Sequence, residues 1–139
     1  MGPSPGSFKG APVTPRAGTV DYRLARRFLI SEYRKGRLAR HQVCDAHPEL
    51  VRAAGQVGVA TETVCPICET EPLVHVTYVF GPRLPAFGRC ITEQGELAKL
   101  NKRAEPLTAY VVEVCRGCSW HHLTRTFGLG ANGRRAATS

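Results

Sequence analysis

The chain has 139 residues, a length that fits one ordinary domain or two very small ones. Hydrophobic residues make up 42% and charged residues 22%, a composition that excludes a wholly disordered or fibrous chain. The 19 Lys and Arg residues outnumber the 11 Asp and Glu residues, and the resulting net charge of +8 favours a polyanionic partner.

Membrane insertion and secretion are not expected from the sequence. No apolar run approaches the ~20 residues needed to span a bilayer, and residues 1–18 lack the apolar segment of a secretory signal. We therefore expect a cytoplasmic protein without a membrane partner. In that compartment the six cysteines are metal ligands or reduced thiols rather than disulfides.

The N-terminal half is expected to be helical and basic. Four prolines and four glycines in residues 1–18 predict a flexible arm. Residues 19–60 are predicted to form a basic helical subdomain, with one helix over 19–36 capped by Thr19 and shorter helices over 39–44 and 48–55. The predicted buried face of the first helix holds apolar residues at helical spacing, namely Tyr22, Leu24, Ala25, Phe28, Leu29 and Tyr33.

The C-terminal half changes to strand periodicity after Cys65. Alternating or β-branched residues predict strands over 73–80, 108–114 and 119–127, with a helix over 92–104 that Thr92 caps. Residues 61–128 are thus predicted to form a three-stranded antiparallel zinc ribbon with an inserted helix, followed by a flexible tail over 129–139. The two halves together give an α+β fold class.

Two Cys-x-x-Cys pairs are the most specific feature of the sequence. Each pair predicts a tight turn that directs two thiolates at one point, so Cys65, Cys68, Cys115 and Cys118 supply the four ligands of a tetrahedral structural zinc ion. The two pairs are separated by more residues than in the usual short zinc-binding pattern. Such insertions are tolerated, because the free energy of loop closure rises only slowly with loop length. We predict one structural Zn²⁺ per chain.

Other interpretations of the cysteines and histidines remain open. Four cysteines can also hold an iron–sulfur cluster, a thioredoxin-like dithiol uses the same Cys-x-x-Cys pattern, and His121 could replace one thiolate ligand. A closed site of four thiolates has no room for a reactive water, which argues against a zinc hydrolase. Cys44 is expected to pack in the core, and a Cys44–His47 catalytic pair is not expected, so no catalytic residue and no small-molecule substrate are predicted.

Two candidate binding surfaces follow from charge and from strand alternation. Five cations on the first helix are opposed only by Glu32 and predict a face for nucleic acid or another partner, namely Arg23, Arg26, Arg27, Arg34 and Lys35. On the last strand, alternation places Trp120, His122, Thr124 and Thr126 on one side. There Trp120 and His122 either stack on bases or a partner, or Trp120 simply covers the metal site.

The chain resembles an uncharacterised actinobacterial family of small zinc-ribbon proteins, a domain of unknown function. The resemblance covers about residues 20–130 and implies the ribbon fold but no particular activity. The segments that carry it are Val20-Asp21-Tyr22, Leu24-Ala25-Arg26-Arg27, Val43-Cys44-Asp45-Ala46, Cys65-Pro66-Ile67-Cys68, Tyr110-Val111-Val112-Glu113-Val114-Cys115-Arg116-Gly117-Cys118 and Trp120.

These observations predict a non-enzymatic zinc-ribbon adaptor. Its expected partner is nucleic acid, or a transcription or translation machine such as RNA polymerase or the ribosome, because zinc ribbons are frequent in such machines and the chain is basic. The alternative is a protein–protein interaction module or regulator that does not contact nucleic acid.

Overall fold

The computed structural model describes residues 3–11 and 18–138. None of the helices in this part of the chain is long and apolar enough to cross a membrane. After a 3-10 turn at Pro5–Ser7, the elements are β1 (Val20–Asp21), α1 (Arg23–Arg34), α2 (Arg40–Val43), α3 (Pro48–Val57), β2 (Val59–Val64), β3 (Pro72–Phe80), β4 (Arg89–Cys90), α4 (Gln94–Asn101), β5 (Pro106–Val114), β6 (His121–Gly130) and α5 (Ala131–Thr138).

A six-stranded antiparallel sheet dominates the described residues. Its strand order is β1-β6-β5-β3-β2, and β4 pairs with β3 outside that order. The three predicted strands correspond to β3, β5 and β6, but the predicted ribbon of three strands is too small. The strands β1 and β4 have only two residues each, and β2 is an exposed edge strand, so none of the three carries the apolar alternation that predicts a strand.

The main hydrophobic core lies between one face of the sheet and α3. Leu50 and Ala54 of α3 pack against apolar residues that alternate along the long strands. This core is the reason that the helical half is not separate from the sheet. Its sheet residues are Val74, Val76, Tyr78 and Phe80 of β3, Tyr110, Val112 and Val114 of β5, and Leu123 of β6.

A second core lies at the end of the sheet farthest from the cysteines. Leu100 of α4 packs there with Leu107 and Leu129, which face each other across β5 and β6. The helix α5 follows β6 directly, and Asn132 donates a hydrogen bond to the carbonyl of Leu107 at 3.1 Å. The predicted flexible tail is therefore ordered over 129–138, because Leu129 enters a core and α5 continues from it; residue 139 lies outside the described residues.

The N-terminal segment is also packed against the sheet. The ring of Phe8 is only 2% exposed and lies 5.3 Å from the ring of Tyr78 and 5.9 Å from the ring of Tyr110. The amide of Leu123 donates to the carbonyl of Lys9 at 2.8 Å, which holds the segment beside β6. The predicted flexible arm is wrong for residues 3–11, where one aromatic side chain provides the anchor. The rest of that prediction, at 1–2 and 12–17, lies outside the described residues.

The helix α1 begins later than predicted and buries a different face. The residues of β1 pair with β6, so the helix begins at Arg23, whose amide donates to the Asp21 carboxylate at 2.8 Å. Leu24 and Phe28 are 78% and 64% exposed, whereas Ile30 is buried. Helical spacing predicted an apolar face but did not reveal which part of it the sheet covers.

Candidate metal centre

Both Cys-x-x-Cys pairs form turns at the same end of the sheet. The first turn joins β2 to β3, and the second joins β5 to β6. The amides of Glu69 and Ser119 donate to the carbonyls of Cys65 and Cys115 respectively, each at 3.0 Å. Glu69 and Ser119 also share a left-handed backbone conformation, with φ of 59° and 72°. The two turns therefore have the same local structure, as their identical cysteine spacing predicts.

The two turns bring four sulfur atoms together. The Sγ atoms of Cys65, Cys68, Cys115 and Cys118 all lie within 4.8 Å of one another. The Sγ–Sγ distance is 3.7 Å between Cys65 and Cys118 and 3.6 Å between Cys68 and Cys115. Four sulfurs at ~2.3 Å from one tetrahedral ion would be ~3.8 Å apart. The donor type and the spacing thus fit a single metal ion with four thiolate ligands.

Hydrogen bonds within the turns stabilise negative charge on the sulfurs. Two backbone amides and one hydroxyl donate to three of the four thiols, and such donors favour the thiolate that a metal needs. The donors are the amide of Ile67 to Cys65 at 3.4 Å, the amide of Cys118 to Cys115 at 3.4 Å, and the hydroxyl of Thr70 to Cys68 at 3.5 Å.

The thiols differ in pKa when no metal is bound. Burial raises the pKa of Cys65 to about 11 and raises the pKa of Cys118 well above the usual thiol range. Burial also acts to raise the pKa of Cys68, but hydrogen bonds from Thr70 and neighbouring amides outweigh it, and the pKa falls to about 6. A metal ion must therefore displace protons from Cys65 and Cys118 at neutral pH.

An apolar shell encloses the sulfur cluster. Cys65 and Cys115 are buried, whereas Cys68 and Cys118 are partly exposed. Such a shell shields the two buried sulfurs from water, as is typical of a structural site rather than a catalytic one. The apolar side chains buried with the cysteines are Ile30, Val43, Ile67, Leu73 and Trp120.

A fifth cysteine contacts the cluster. The Sγ of Cys44, at the end of α2, lies 3.3 Å from the Sγ of Cys118. Cys44 packs against the apolar shell, as expected for a core residue, but its contact with a metal ligand was not predicted. The sequence contains no signal for this contact, because Cys44 is far from both pairs along the chain. The remaining cysteine, Cys90, lies on β4 next to Tyr78.

The histidines near the cysteines have structural partners. Nε2 of His121 lies 3.1 Å from the Asp45 carboxylate, which also pairs with Lys9 at 3.0 Å, and the ring is not part of the sulfur cluster. Nδ1 of His47 accepts a hydrogen bond from the amide of Glu49 at 3.0 Å and caps α3. Neither geometry supports a histidine metal ligand or a Cys44–His47 catalytic pair.

Trp120 is part of a buried polar network and does not reach the surface. It is 0% exposed, and its indole N–H donates to the Glu113 carboxylate at 2.7 Å. Nε of Arg26 donates to both oxygens of the same carboxylate, at 2.8 and 2.9 Å. The predicted role of Trp120 in base stacking is therefore wrong, since its indole is buried and already has an internal partner. Nε of Arg26 is likewise bound to Glu113, although the side chain is 23% exposed.

His122 is also buried, which corrects its predicted role in binding. Its ring is 0% exposed and stacks on Trp120 with 6.0 Å between the ring centroids. The pairing register of β5 and β6 shifts between Val111 and Val112, so β6 contains an extra residue there. The predicted alternation from Trp120 to Thr126 ends at this bulge, which sequence periodicity does not reveal.

The other predicted cations lie on the surface of α1. Arg23 is exposed and pairs with Asp21 at 2.9 Å. Arg27, Arg34 and Lys35 are exposed and line a groove of about 610 Å³ that reaches Pro66 of the first cysteine turn. This groove, which we call the α1 groove, is completed by Arg26, Ile30 and Ser31 and has no acidic lining residue among the described residues.

Comparison with known proteins identifies the family. Residues 13–139 match a family described as a family of unknown function, DUF5318. The chain belongs to this family. Uncharacterised proteins of Mycobacterium bovis and of two Mycobacterium tuberculosis strains are each 44% identical to it over 112 residues, which is 81% of this chain and 82% of the relative. The resemblance to an uncharacterised actinobacterial family is thus confirmed, and no solved structure gives a significant match.

Proposed function

We propose that the protein is a non-enzymatic adaptor that binds one structural zinc ion and uses the α1 groove to bind nucleic acid. Four thiolates at tetrahedral spacing inside an apolar shell support the choice of zinc. They also support a structural role, because four protein ligands leave no open position for substrate or water.

Metal analysis tests the zinc part of the proposal. We expect elemental mass spectrometry to find one zinc ion per chain in the purified protein. Cys65→Ser and Cys115→Ser should each lose that ion, whereas Cys90→Ser, which changes a cysteine outside the cluster, should retain it. Iron in place of zinc, or a folded protein without metal, would contradict this assignment.

The composition of the α1 groove supports the proposal that the protein binds nucleic acid. Arg27, Arg34 and Lys35 present three exposed cations along one side of a helix, next to the turn that contains Pro66. Phosphate groups bind such a row of cations by releasing condensed counterions, without a requirement for base contacts. With Trp120 and His122 buried, the proposed binding is to the phosphate backbone rather than to bases.

Salt dependence tests this binding mode. Affinity for fluorescent single-stranded RNA and duplex DNA should fall steeply with salt, and each cation removed should flatten the slope of log affinity against log salt by ~0.7–0.9. The test variant is Arg27→Glu, Arg34→Glu and Lys35→Glu combined. Its matched control is Arg83→Glu, Lys99→Glu and Lys102→Glu combined. It makes the same charge change at exposed positions after β3, on α4 and directly after α4.

The outcome of this pair of variants decides the proposal. Weak binding by the groove variant and near-normal binding by the control variant support it, provided that zinc content is unchanged in both. Equal binding by both variants, or no binding by the parent protein, would contradict it.

A protein partner is the second candidate, and a different observation favours it. Leu24 and Phe28 are exposed and one helical turn apart on α1, and two neighbouring large apolar side chains on a surface are typical of a protein interface. Under this alternative, binding is insensitive to salt and is lost in a Leu24→Ser, Phe28→Ser double variant.

A further inference from the structure

Cys44 is a thiol that the proposed metal centre does not require but that touches one of its ligands. Its Sγ lies 3.3 Å from that of Cys118, closer than the 3.6 and 3.7 Å contacts between sulfurs within the cluster. A disulfide bond is ~2.05 Å long. The two sulfurs must therefore approach each other by about 1.3 Å to form that bond.

Both members of the pair can be reached by a small oxidant. Cys44 and Cys118 are partly exposed, in contrast to the buried Cys65 and Cys115. Arg40 is an exposed cation one helical turn before Cys44, and its carbonyl accepts a hydrogen bond from the Cys44 amide at 2.8 Å. A neighbouring cation and partial exposure characterise oxidation-sensitive thiols, whereas buried thiols in apolar surroundings are inert.

We propose that Cys44 and Cys118 form a peroxide-sensitive pair whose oxidation to a disulfide removes one ligand from the metal centre and releases the ion. The inference rests on the zinc centre of the proposed function, but it assigns a modification site that the structural role of zinc does not need. Cys44 is the reactive member, because its sulfur is not committed to the metal.

The reaction proceeds in two balanced steps. Hydrogen peroxide oxidises the Cys44 thiol to a sulfenic acid and leaves one molecule of water. The Cys118 thiolate then leaves the metal and attacks the sulfenic sulfur, forming the S–S bond and displacing hydroxide, which takes a proton from solvent to give a second water. The two sulfurs lose two electrons and the peroxide gains them. Three thiolate ligands remain, and the metal site is no longer closed.

The test uses the full-length, reduced, zinc-loaded protein treated with hydrogen peroxide. Zinc release is followed with a chromogenic chelator, and the disulfide is identified by mass spectrometry of peptides under non-reducing conditions. We expect the first disulfide to join Cys44 to Cys118, and a thiol reductant with added zinc to restore the original metal content.

Matched variants separate this pair from general oxidation of a four-thiolate site. Cys44→Ser should retain one zinc ion and release it about tenfold or more slowly than the parent under peroxide, because the uncommitted thiol is missing. Cys44→Ala provides a second variant should the serine disturb packing. Cys90→Ser changes the other cysteine outside the cluster and should release zinc at the parental rate.

The results that overturn the proposal are specific. Release from both Cys44 variants at the parental rate, or a first disulfide that joins two of the four cluster cysteines, excludes the proposed role of Cys44. Should the purified protein hold no zinc, the zinc assignment fails separately, and peptide mapping still decides the pair: a Cys44–Cys118 link supports it, and its absence overturns it.

Discussion

At the scale of single residues, the buried carboxylate of Glu113 organises the metal end of the molecule. It accepts hydrogen bonds from Trp120 and from Arg26. One acidic side chain on β5 therefore connects the helix α1 to Trp120, which packs with the clustered cysteines. Disturbing a buried charge that accepts from two donors lowers the free energy of unfolding strongly, because removing one member leaves the others desolvated and unpaired.

Glu113→Gln should therefore destabilise the zinc-loaded protein by about 3 kcal/mol, the cost of breaking a largely buried ion pair. Urea unfolding followed by tryptophan fluorescence measures this loss. The control Glu62→Gln makes the same change at an exposed position on β2 and should alter stability by less than ~0.5 kcal/mol. Equal stability of the two variants would show that Glu113 does not hold the network together.

The thiols of Cys65 and Cys118 determine how zinc affinity depends on pH. Both have a raised pKa without metal, so at neutral pH each is protonated before binding and must lose its proton to bind zinc. Zinc affinity should therefore rise with pH. At a pH below the pKa of each thiol, its proton loss contributes about one unit to the slope of log zinc affinity against pH.

Competition with a chelator of known affinity between pH 6 and 8 measures the slope. Cys68 adds little to it above its pKa of about 6, where this thiol is already ionised. An affinity independent of pH over this range would contradict the protonated state of Cys65 and Cys118 before zinc binds.

At the scale of elements, local sequence signals identified the sites where structure is regular and missed those where it is not. Period-2 alternation predicted β3 and β5, and the paired Cys-x-x-Cys spacing predicted both cysteine turns and all four clustered cysteines. The edge strand β2 and the bulge in β6 depend on pairing between distant segments. Neither leaves a periodic pattern in its own residues.

The N-terminal segment shows the same limit most clearly. Proline and glycine content predicted an arm without fixed structure, yet Phe8 enters the main core among three aromatic rings. A single anchor residue contributes little to a compositional average, although its burial contributes a large part of the binding energy of a short segment.

Phe8→Ala should cost about 3–5 kcal/mol of stability, as expected for truncation of a fully buried phenylalanine. Phe28→Ala is the matched control, because it makes the same substitution at a position that is 64% exposed, and its cost should stay within ~0.5 kcal/mol. Chemical denaturation of both variants in the zinc-loaded form compares them directly. A negligible effect of Phe8→Ala would mean that the segment does not support the fold.

At the scale of the whole molecule, the metal ligands and the main cores are segregated. The four cysteines lie in the apolar cluster around Trp120, whereas the cores around Tyr110 and around Leu107 contain none of them. The long strands β3 and β5 run between the two regions. The four cysteines therefore lie at one end of a sheet that also has hydrophobic cores without them.

Removal of the metal should accordingly unfold one end of the molecule more than the other. A structural zinc ion supplies an apparent ~10–16 kcal/mol in small domains, and its loss leaves buried thiols and two unsupported turns. Hydrogen exchange after chelation should show lost protection over residues 65–73 and 115–121. The amides of Val76 and Val112, in the middle of the sheet, should remain protected because their core contains no ligand. A uniform loss of protection would instead show that the metal centre and the sheet unfold as one cooperative unit. In that case, oxidation at Cys118 would unfold the α1 groove together with the rest of the chain.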